Sequence, residues 1–295
     1  MTEEPGFPRG AVVITGATSG IGRTCAFHLD QLGFRVFAGM RQEKDGESLR
    51  RESRARIIPL LLDVTDGASV SAAAHAVAKT VGDAGLSGLV NNAGIVVSGP
   101  LEFLPLSEIR KQLEVNVLGQ LTVIQAFLPL LRKARGRIVN MGSISGRMAL
   151  PFLGPYAASK FALEAITDSL RLELLPWGIT VSIIEPGAVK TPIWEKSRAF
   201  SGQLARNFPP QAFEHYGPAI IAFSSSVEKT AEAGVRPDVV AAAVLHALTA
   251  RKPKTRYLVG RNTRLQVFLK KILSDRMLDK LVVRSIGLPG KSELL

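Results

Sequence analysis

The chain has 295 residues, 46% of them hydrophobic, which is enough apolar material for a sizeable core. Its 27 glycines and 17 prolines follow no repeat period, which excludes collagen-like and low-complexity chains. A single cysteine excludes an internal disulfide, and four isolated histidines give no zinc-ligand spacing, so we expect no bound metal.

The formal net charge of +12 is concentrated near the carboxyl end: it is +9 from residue 251 onward and +3 before it. No zinc finger or RNA-binding aromatic motif accompanies this charge, so we expect no nucleic-acid partner. The first ten residues, MTEEPGFPRG, do not resemble a secretory signal, and the longest apolar runs, such as residues 121–131, are shorter than a membrane span. We therefore expect a cytoplasmic protein with, at most, peripheral membrane contact.

Short β-branched runs alternate with segments of helical periodicity along most of the chain. This alternation is typical of an α/β fold, a doubly wound parallel sheet with helices on both faces. The predicted strands are residues 11–15, 35–39, 57–62, 88–91, 137–141, 179–184 and 256–259. The predicted helices are residues 21–32, 68–81, 107–128, 156–175 and 238–250.

No linker interrupts this alternation, so we predict one domain over residues 1–260. Residues 188–234 are too long for a passive connector and are predicted to form a helical lid over an apolar pocket; the alternative is an aromatic-anchored structural insertion. The aromatic residues of this segment are Trp194, Phe200, Phe208, Phe213, Tyr216 and Phe223.

Residues 261–295 are predicted to form a basic amphipathic helical extension. Its apolar residues at helical spacing are Leu265, Phe268, Leu269, Ile272 and Leu273, with Lys270 and Lys271 between them. Such a helix either packs beside the mouth of the active site, which we favour, or lies on an anionic membrane surface.

The run TGATSGIG at residues 15–22 follows the first predicted strand and opens a helix. Glycines in such a turn let the backbone approach a pyrophosphate, and the helix directs free N–H groups at its charge. The spacing of Gly16, Gly20 and Gly22 differs from the usual dinucleotide fingerprint, and glycine turns also occur for steric reasons alone.

A second group of polar residues follows later strands. Ser143 comes after one strand, and Tyr156 and Lys160 share a helix face because they are four positions apart. A tyrosine that works near neutrality needs a pKa shift of about three units, and a neighbouring ammonium favours the phenolate. Ser143 could fix a substrate oxygen by a hydrogen bond. Taken singly, each residue has a more usual explanation, because a tyrosine at a helix start usually packs and a lysine is usually solvated.

Together and in this order, these motifs resemble the short-chain dehydrogenase/reductase family. The matching residues are TGATSGIG, NNAG at residues 91–94, Ser143, YAASK at residues 156–160, and Pro186-Gly187 with Thr191. The resemblance spans residues 8–260 and implies a Rossmann fold, a nicotinamide cofactor and reversible oxidation of an alcohol to a carbonyl. Retinol, hydroxysteroid and 3-hydroxybutyrate dehydrogenases are similar members. A homo-oligomer, dimer or tetramer, is implied as well.

The resemblance also assigns roles. Tyr156 is the general acid/base, Lys160 binds ribose and lowers the tyrosine pKa, Ser143 holds the substrate oxygen, and Asn116 holds a water of the proton relay. Asp63 lies against adenine in this scheme, although a turn or helix-capping role explains it too. The implied cofactor-binding residues are Gly16, Thr18, Ser19, Gly20, Ile21, Arg41, Asp63, Val64, Asn91, Ala93, Gly94, Tyr156, Lys160, Pro186, Gly187, Val189 and Thr191.

The end of the second strand, VFAGMRQ at residues 36–42, favours NADP(H) over NAD(H). An acidic residue there would bind ribose hydroxyls, whereas a cation accommodates a phosphate, and Arg41 stands at that place with no carboxylate at Gly39 or Met40. Two features oppose this preference: the glycine turn lacks the extra basic residue of many NADP-dependent members, and VFAG is also similar to NAD-using relatives.

The residues near the motifs indicate an apolar carbonyl or secondary alcohol as substrate. They are Ile95, Val96, Met148, Leu150, Phe152 and Leu153, and Arg147 and Lys190 are the open candidates for a charge clamp. We therefore predict an NADP(H)-dependent oxidoreductase for apolar ketones or aldehydes and their alcohols. The alternative is a catalytically silent nucleotide-binding sensor or scaffold, which would not need the whole Asn116, Ser143, Tyr156 and Lys160 set.

Overall fold

A computed structural model describes residues 9–53 and 57–288 of the chain. Its strands are β1 (Ala11–Ile14), β2 (Arg35–Met40), β3 (Ile57–Leu61), β4 (Gly88–Asn91), β5 (Arg137–Met141), β6 (Thr180–Pro186) and β7 (Arg256–Val259). They form one parallel sheet in the order β3-β2-β1-β4-β5-β6-β7, which confirms the predicted doubly wound α/β fold.

The helices cover both faces of this sheet. They are α1 (Gly20–Gln31), α2 (Lys44–Glu52), α3 (Gly67–Val81), α4 (Leu106–Leu113), α5 (Gly119–Ala134), α6 (Gly154–Glu173), α7 (Ile193–Ala205), α8 (Pro210–Glu232), α9 (Pro237–Thr249), α10 (Thr263–Ile272) and α11 (Asp275–Ile286). A π-helical turn, Glu114–Leu118, joins α4 to α5, so the helix predicted over residues 107–128 is interrupted.

The strands are buried on both faces, which is why their sequences are continuous apolar runs. One core packs α1 and α9 on the sheet through side chains such as Leu29 and Val244. The opposite core packs α3 and α5 through side chains such as Val77 and Phe127. The fold therefore rests on two apolar layers of comparable extent.

The order of the strands determines where the candidate site lies in the fold. From β1 the chain proceeds outward to β2 and β3, and then returns to β4 on the other side of β1. The crossovers from β1 and β4 therefore diverge, which opens a crevice at the carboxyl ends of these two strands. The glycine turn follows β1 and the NNAG run begins at the end of β4, so the sheet brings both motifs to this crevice.

The described parts of the two outer segments contain helices, while their roles as a lid and an extension stay predictions. Residues 188–234 contain α7 and α8, and the extension after residue 260 contains α10 and α11. The domain boundary at residue 260 stays a prediction. Among the described residues, the stretch Leu106–Ala134 is long and apolar enough to span a membrane, which the search for continuous apolar runs did not anticipate. Its α5 part buries Val123, Phe127 and Leu131 against the sheet, as a core helix does.

Candidate active site

The glycine turn between β1 and α1 has the backbone conformation that only glycine adopts freely. Gly16 and Gly20 have φ angles of +62° and +54°. A Cβ atom on Gly22 would lie 2.4 Å from the carbonyl oxygen of Gly16, so the helix approaches the turn too closely for any side chain. The first turn of α1 contains no acidic residue, which leaves its positive end free for an anion.

The NNAG run clamps this turn from β4. The Thr15 hydroxyl accepts hydrogen bonds from the backbone N–H groups of Asn92 and Ala93, both at 2.9 Å. In return, the Asn92 side chain donates to the carbonyl oxygens of Thr15 at 3.0 Å and Gly16 at 3.1 Å. Thr15 and Asn92 therefore support the turn, a role that the sequence analysis did not assign to these two motif residues.

Asn91 carries an unsatisfied acceptor at the crevice. Its buried amide nitrogen donates to Asn140 at 3.1 Å, whereas its Oδ1 has no hydrogen-bond partner among the described residues. Buried polar atoms are normally paired, so this oxygen fits a donor group of a bound molecule. A dinucleotide cofactor, with its amide and hydroxyl donors, satisfies that requirement.

Tyr156 and Lys160 lie on one face of α6, beside Ser143 at the end of β5. The Lys160 ammonium is buried, lies 5.7 Å from the centre of the Tyr156 ring and donates to the carbonyl oxygen of Met141 at 2.7 Å. Ser143 hydrogen-bonds the Tyr156 phenol, and its hydroxyl accepts from the N–H of Ser145 at 3.1 Å. The structure therefore brings these three predicted residues together.

The two titratable groups respond mainly to burial. Burial raises the pKa of Tyr156, and the hydrogen bond to Ser143 opposes this rise only in part. Burial also lowers the pKa of Lys160, from 10.5 to about 8. The tyrosine shift is opposite to the acidification expected from the spacing, because desolvation of the phenolate is the largest contribution and the Lys160 ammonium, 5.7 Å from the ring centre, does not offset it. The protein by itself therefore keeps Tyr156 protonated at neutral pH.

Asn116 lies in the π-helical turn between α4 and α5, a geometry that is frequent at functional sites. Its side chain bonds both backbone groups of Ile95, at 2.9 Å and 3.0 Å, and donates to the Ser159 hydroxyl at 3.1 Å. Ser159 in turn donates to the carbonyl oxygen of Tyr156 at 2.7 Å. Asn116 is thus joined to α6 through Ser159, a residue of the YAASK run to which the sequence analysis assigned no role.

Three further predicted cofactor residues, Thr191, Asp63 and Arg41, lie in the segments that follow β6, β3 and β2. Thr191 lies over the glycine turn, with its Cβ 3.2 Å from the position that a Cβ on Gly20 would occupy. Asp63 accepts hydrogen bonds from the N–H and hydroxyl of Thr65, at 3.0 Å and 2.7 Å, and thus fills the turn role that was its alternative. Arg41 is exposed at the end of β2 and makes no ion pair within the described residues.

Aromatic side chains connect the crevice to the segment predicted as a lid. Phe152, which follows β5 and has a φ of +63°, lies 5.4 Å from Phe223 and 6.3 Å from Tyr216 between ring centres. Phe103 continues the row, 6.0 Å from Tyr216 and 6.4 Å from Phe208. These rings join α8 to the loop before α6 and form an aromatic wall, which contains Phe152 four positions before Tyr156 in the sequence.

Arg147, one candidate for a substrate clamp, is already paired. It donates to both carboxylate oxygens of Glu185, at 3.1 Å and 2.9 Å, and Arg256 donates to Glu164 at 3.1 Å. Burial and the repulsion of Glu185 raise the pKa of Glu164 to about 7 despite these arginines. Because its charge is compensated inside this cluster, Arg147 is a structural residue. The cluster has no signal in the sequence, because its members lie far apart along the chain.

The sole cysteine is not a candidate nucleophile. Cys25 lies in the core between α1 and the sheet, and burial raises its pKa to about 12. At neutral pH its thiol is therefore uncharged and unreactive.

Comparison with known proteins gives consistent matches. The profile of the short chain dehydrogenase family matches residues 10–202. Retinol dehydrogenase 5 of Mus musculus is 39% identical over 287 residues, which cover 95% of this chain and 90% of that protein. The NADPH-dependent 3-dehydrocapnine reductase of Ornithobacterium rhinotracheale is 35% identical over 279 residues, with coverages of 93% and 96%.

A solved structure shares the architecture as well. A short chain dehydrogenase from Burkholderia cenocepacia J2315, crystallised in complex with NADP, has a TM-score of 0.70 and 26% sequence identity to this chain. The match covers 95% of this chain and 98% of that one, so it includes the segments outside the family profile.

Proposed function

This chain belongs to the short chain dehydrogenase family, and from that premise we propose that it transfers a hydride between NADP(H) and an apolar ketone or aldehyde, or the corresponding alcohol. Membership confirms the resemblance drawn from the motifs and makes the protein an oxidoreductase of CH–OH groups. The observation that supports the finer proposal is the buried Lys160 beside Tyr156 and Ser143 at the carboxyl edge of the sheet.

A bound nicotinamide dinucleotide would supply the hydride in reduction or accept it in oxidation. Gly16, Gly20 and the free end of α1 would hold its pyrophosphate, and the unsatisfied oxygen of Asn91 would accept from one of its donor groups. The Lys160 ammonium carries three N–H donors and uses one on Met141, so two remain for ribose hydroxyls.

The proton side of the reaction is assigned to Tyr156. Because burial raises its pKa, the phenol is protonated at neutral pH and is ready to donate a proton to the substrate oxygen during reduction. The Ser143 hydroxyl, already bonded to the phenol, would position that oxygen. The nearby Lys160 ammonium would stabilise the phenolate left behind, and Asn116 would support α6 through Ser159.

The test follows nicotinamide absorbance with a panel of apolar ketones and aldehydes. We expect the Tyr156→Phe variant to lose about 10²- to 10⁴-fold in turnover, the usual contribution of a general acid, while its affinity for the cofactor is retained. Tyr257→Phe is the control, because Tyr257 is a buried tyrosine outside the site, and its hydroxyl is hydrogen-bonded to His246 at 2.8 Å. Equal turnover by Tyr156→Phe and the parent would refute the assigned acid. A parent that binds the cofactor without turnover would favour the sensor or scaffold alternative.

We also propose a preference for NADP(H), supported by the exposed Arg41 at the end of β2. The NADPH-dependent relative and the NADP-bound structure are consistent with it. A guanidinium–phosphate hydrogen bond contributes about 1.5–3 kcal/mol, so Arg41→Asp should shift the ratio of kcat/KM for NADPH and NADH by about 10- to 100-fold toward NADH. Arg50→Asp, an exposed change of the same charge on α2, should leave that ratio unchanged.

The extension after β7 supports a proposal of peripheral membrane contact. Packing, the favoured interpretation of the sequence, buries Leu278 and Ile286 of α11 but leaves most of the apolar face in solvent. The exposed apolar residues are Leu265, Phe268, Ile272, Met277, Leu281 and Val283. The basic residues of the same two helices are Arg264, Lys270, Lys271, Arg276, Lys280 and Arg284. Together they match the surface of an anionic bilayer.

Flotation with vesicles of phosphatidylserine and phosphatidylcholine tests this contact. We expect binding at low salt that weakens at high salt, and loss of binding when Phe268 and Ile272 are both changed to Glu. The matched control is Leu118→Glu, which changes an exposed apolar residue outside α10 and α11. A protein that stays unbound at low salt would contradict the proposal.

We further propose a homo-oligomer, a dimer or tetramer. Exposed apolar side chains on α6 and at its end support it: Phe161, Leu172 and Trp177 are 45%, 63% and 53% exposed. Light scattering after gel filtration should give a multiple of the monomer mass, and a double change of Phe161 and Leu172 to Glu should reduce it to that of the monomer. A parent that elutes as a monomer would contradict this proposal.

A further inference from the structure

A lysine of the lid segment reaches the positive end of helix α1. Lys196 lies in the first turn of α7, and its Nζ is 3.4 Å from the Oγ of Ser19, the residue that precedes α1. The two residues are 177 positions apart in the sequence, so this contact joins the lid segment to the glycine turn.

The electrostatics of this contact are unfavourable as they stand. The amino-terminal end of a helix carries a partial positive charge, and a cation placed there destabilises the arrangement. Within the described residues, α1 has no acid in its first turn, the Ser19 hydroxyl does not cap the helix, and Lys196 makes no ion pair. An anion between the ammonium and the helix end would satisfy both positive groups.

The backbone leading to α7 lies over the same turn. Thr191 packs over Gly20, because a Cβ atom placed on Gly20 would lie 3.2 Å from the Cβ of Thr191. Lys196 follows five residues later, so its ammonium reaches the turn from the same direction. The position of Lys196 is therefore determined by the same segment that carries a predicted cofactor contact.

Helix α7 is attached through partly exposed side chains. Within the described chain it has no fully buried side chain. Its polar contacts include the ion pair of Arg198 with Glu228, Ser201 with the Ser98 hydroxyl at 2.7 Å and Ser197 with the carbonyl oxygen of Val96 at 3.4 Å. An element without buried side chains opens at a lower free-energy cost than the core does, so a new ion pair can change its position.

From these observations we propose that Lys196 binds the pyrophosphate of the dinucleotide cofactor and so couples cofactor binding to closure of α7. The inference rests on the proposed function, because it takes the glycine turn as the cofactor site. It differs from the role proposed for Arg41: the pyrophosphate is common to NADPH and NADH, whereas Arg41 is assigned to the phosphate that only NADPH carries.

The first measurement is the Kd of NADPH and NADH for the full chain, by quenching of intrinsic fluorescence at low and moderate salt. Lys196→Gln should weaken binding of both cofactors by about tenfold, the loss of a charge-assisted hydrogen bond, and should reduce the salt dependence of Kd. Lys196→Arg should restore most of the affinity. Lys229→Gln, the same change of charge on α8 at an exposed site, should bind as the parent does.

The second measurement is hydrogen exchange of residues 193–205. In the parent, NADPH should increase the protection of this helix, whereas in Lys196→Gln the increase should be absent at saturating NADPH. Equal Kd values for parent and variant, or a loss confined to NADPH, would overturn the inference. Unchanged protection of α7 in the parent would overturn the coupling to lid closure. If the parent binds neither dinucleotide, the proposed function fails, and this inference fails with it.

Discussion

The crevice at the carboxyl ends of β1 and β4 and the outer helices α7, α8, α10 and α11 are built in opposite ways. In the crevice, polar side chains such as Thr15, Asn92 and Asn116 are bonded to the backbone of neighbouring segments. In the outer helices, apolar side chains such as Phe213 and Phe268 face solvent, at 48% and 56% exposure.

The difference separates two tasks. A buried polar network has one favourable arrangement, because every unpaired group inside it costs free energy, and it can hold reacting atoms in a fixed geometry. An exposed apolar surface has no such constraint and gains free energy only when something covers it. The crevice is therefore suited to the reaction that the family shares, and the outer helices to the choice of substrate and location.

The largest effect is expected from a substitution in the crevice, at Gly22 of the glycine turn. The added methyl of Gly22→Ala would lie 2.4 Å from both the Gly16 oxygen and the Asn92 side-chain nitrogen, so the clamp and the helix would have to separate. We expect the affinity for the nicotinamide cofactor to fall at least about 100-fold, equivalent to about 2.7 kcal/mol. Fluorescence titration measures this loss.

Gly67→Ala is the matched control. Gly67 begins α3, and no described atom lies within 4 Å of the position of its added methyl. Alanine is the better helix former, so this variant should keep its cofactor affinity and be slightly more stable. Should Gly22→Ala bind the cofactor as well as Gly67→Ala does, the glycine turn is not the rigid part of the site.

The second prediction concerns the free energy of unfolding, which we expect the burial of Lys160 in the crevice to lower. The pKa of Lys160 is about 8 in the fold against 10.5 for an ordinary lysine, so below pH 8 the fold carries the full cost of a buried ammonium. That cost is about 3 kcal/mol before the hydrogen bond to Met141 is counted. Lys160→Met should therefore abolish turnover while raising the free energy of unfolding at pH 7 by about 2 kcal/mol.

The sign of the pH dependence follows from the same two pKa values. Between pH 8 and 10.5 the unfolded chain binds the extra proton, so the parent gains stability as the pH rises through this window. The advantage of Lys160→Met should consequently shrink between pH 7 and pH 9.5 in denaturant titrations. Lys229→Met, at an exposed site, should differ little from the parent at either pH. A variant of Lys160 that is less stable than the parent at pH 7 would show that local groups stabilise the ammonium.

The sheet could be predicted well because its strands are buried on both faces. All seven observed strands lie within two residues of the predicted bounds, since a buried parallel strand is an uninterrupted apolar run. Helix α2, KDGESLRRE, was not predicted, because it is almost entirely polar and buries only Gly46 and Leu49. Hydrophobic periodicity gives no signal for such a helix.

The candidate site was likewise predictable only in part. Tyr156, Lys160 and Ser143 stood out because their spacing in a single segment carries the signal. The roles of Asn92, in the NNAG run, and of Asn140 could not be predicted, because their partners lie 77 and 49 positions away and are brought near only by the order of the strands. The direction of the Tyr156 pKa shift could not be predicted from spacing, since it depends on burial.

The smallest effect is expected in the outer helices, at the aromatic wall that contains Phe152 and Phe223. Phe223 is 8% exposed and packs on Phe152, whereas Phe213, on the same helix α8, is 48% exposed. If the wall holds the substrate, Phe223→Ala should raise the KM of a long-chain ketone about tenfold, or about 1.4 kcal/mol, with little change in kcat. Phe213→Ala should leave KM unchanged.

A loss of folded protein would lower kcat for every substrate, so the informative quantity is the ratio of kcat/KM for a long-chain ketone to that for acetone. Acetone is too small to span the wall, and the ratio is independent of the folded fraction because both substrates meet the same enzyme. We expect Phe223→Ala to lower this ratio about tenfold, whereas a uniform loss would mean that Phe223 supports the fold alone. The apolar row from Phe152 to Phe208 would then be an internal anchor of the lid segment, and the substrate would bind elsewhere.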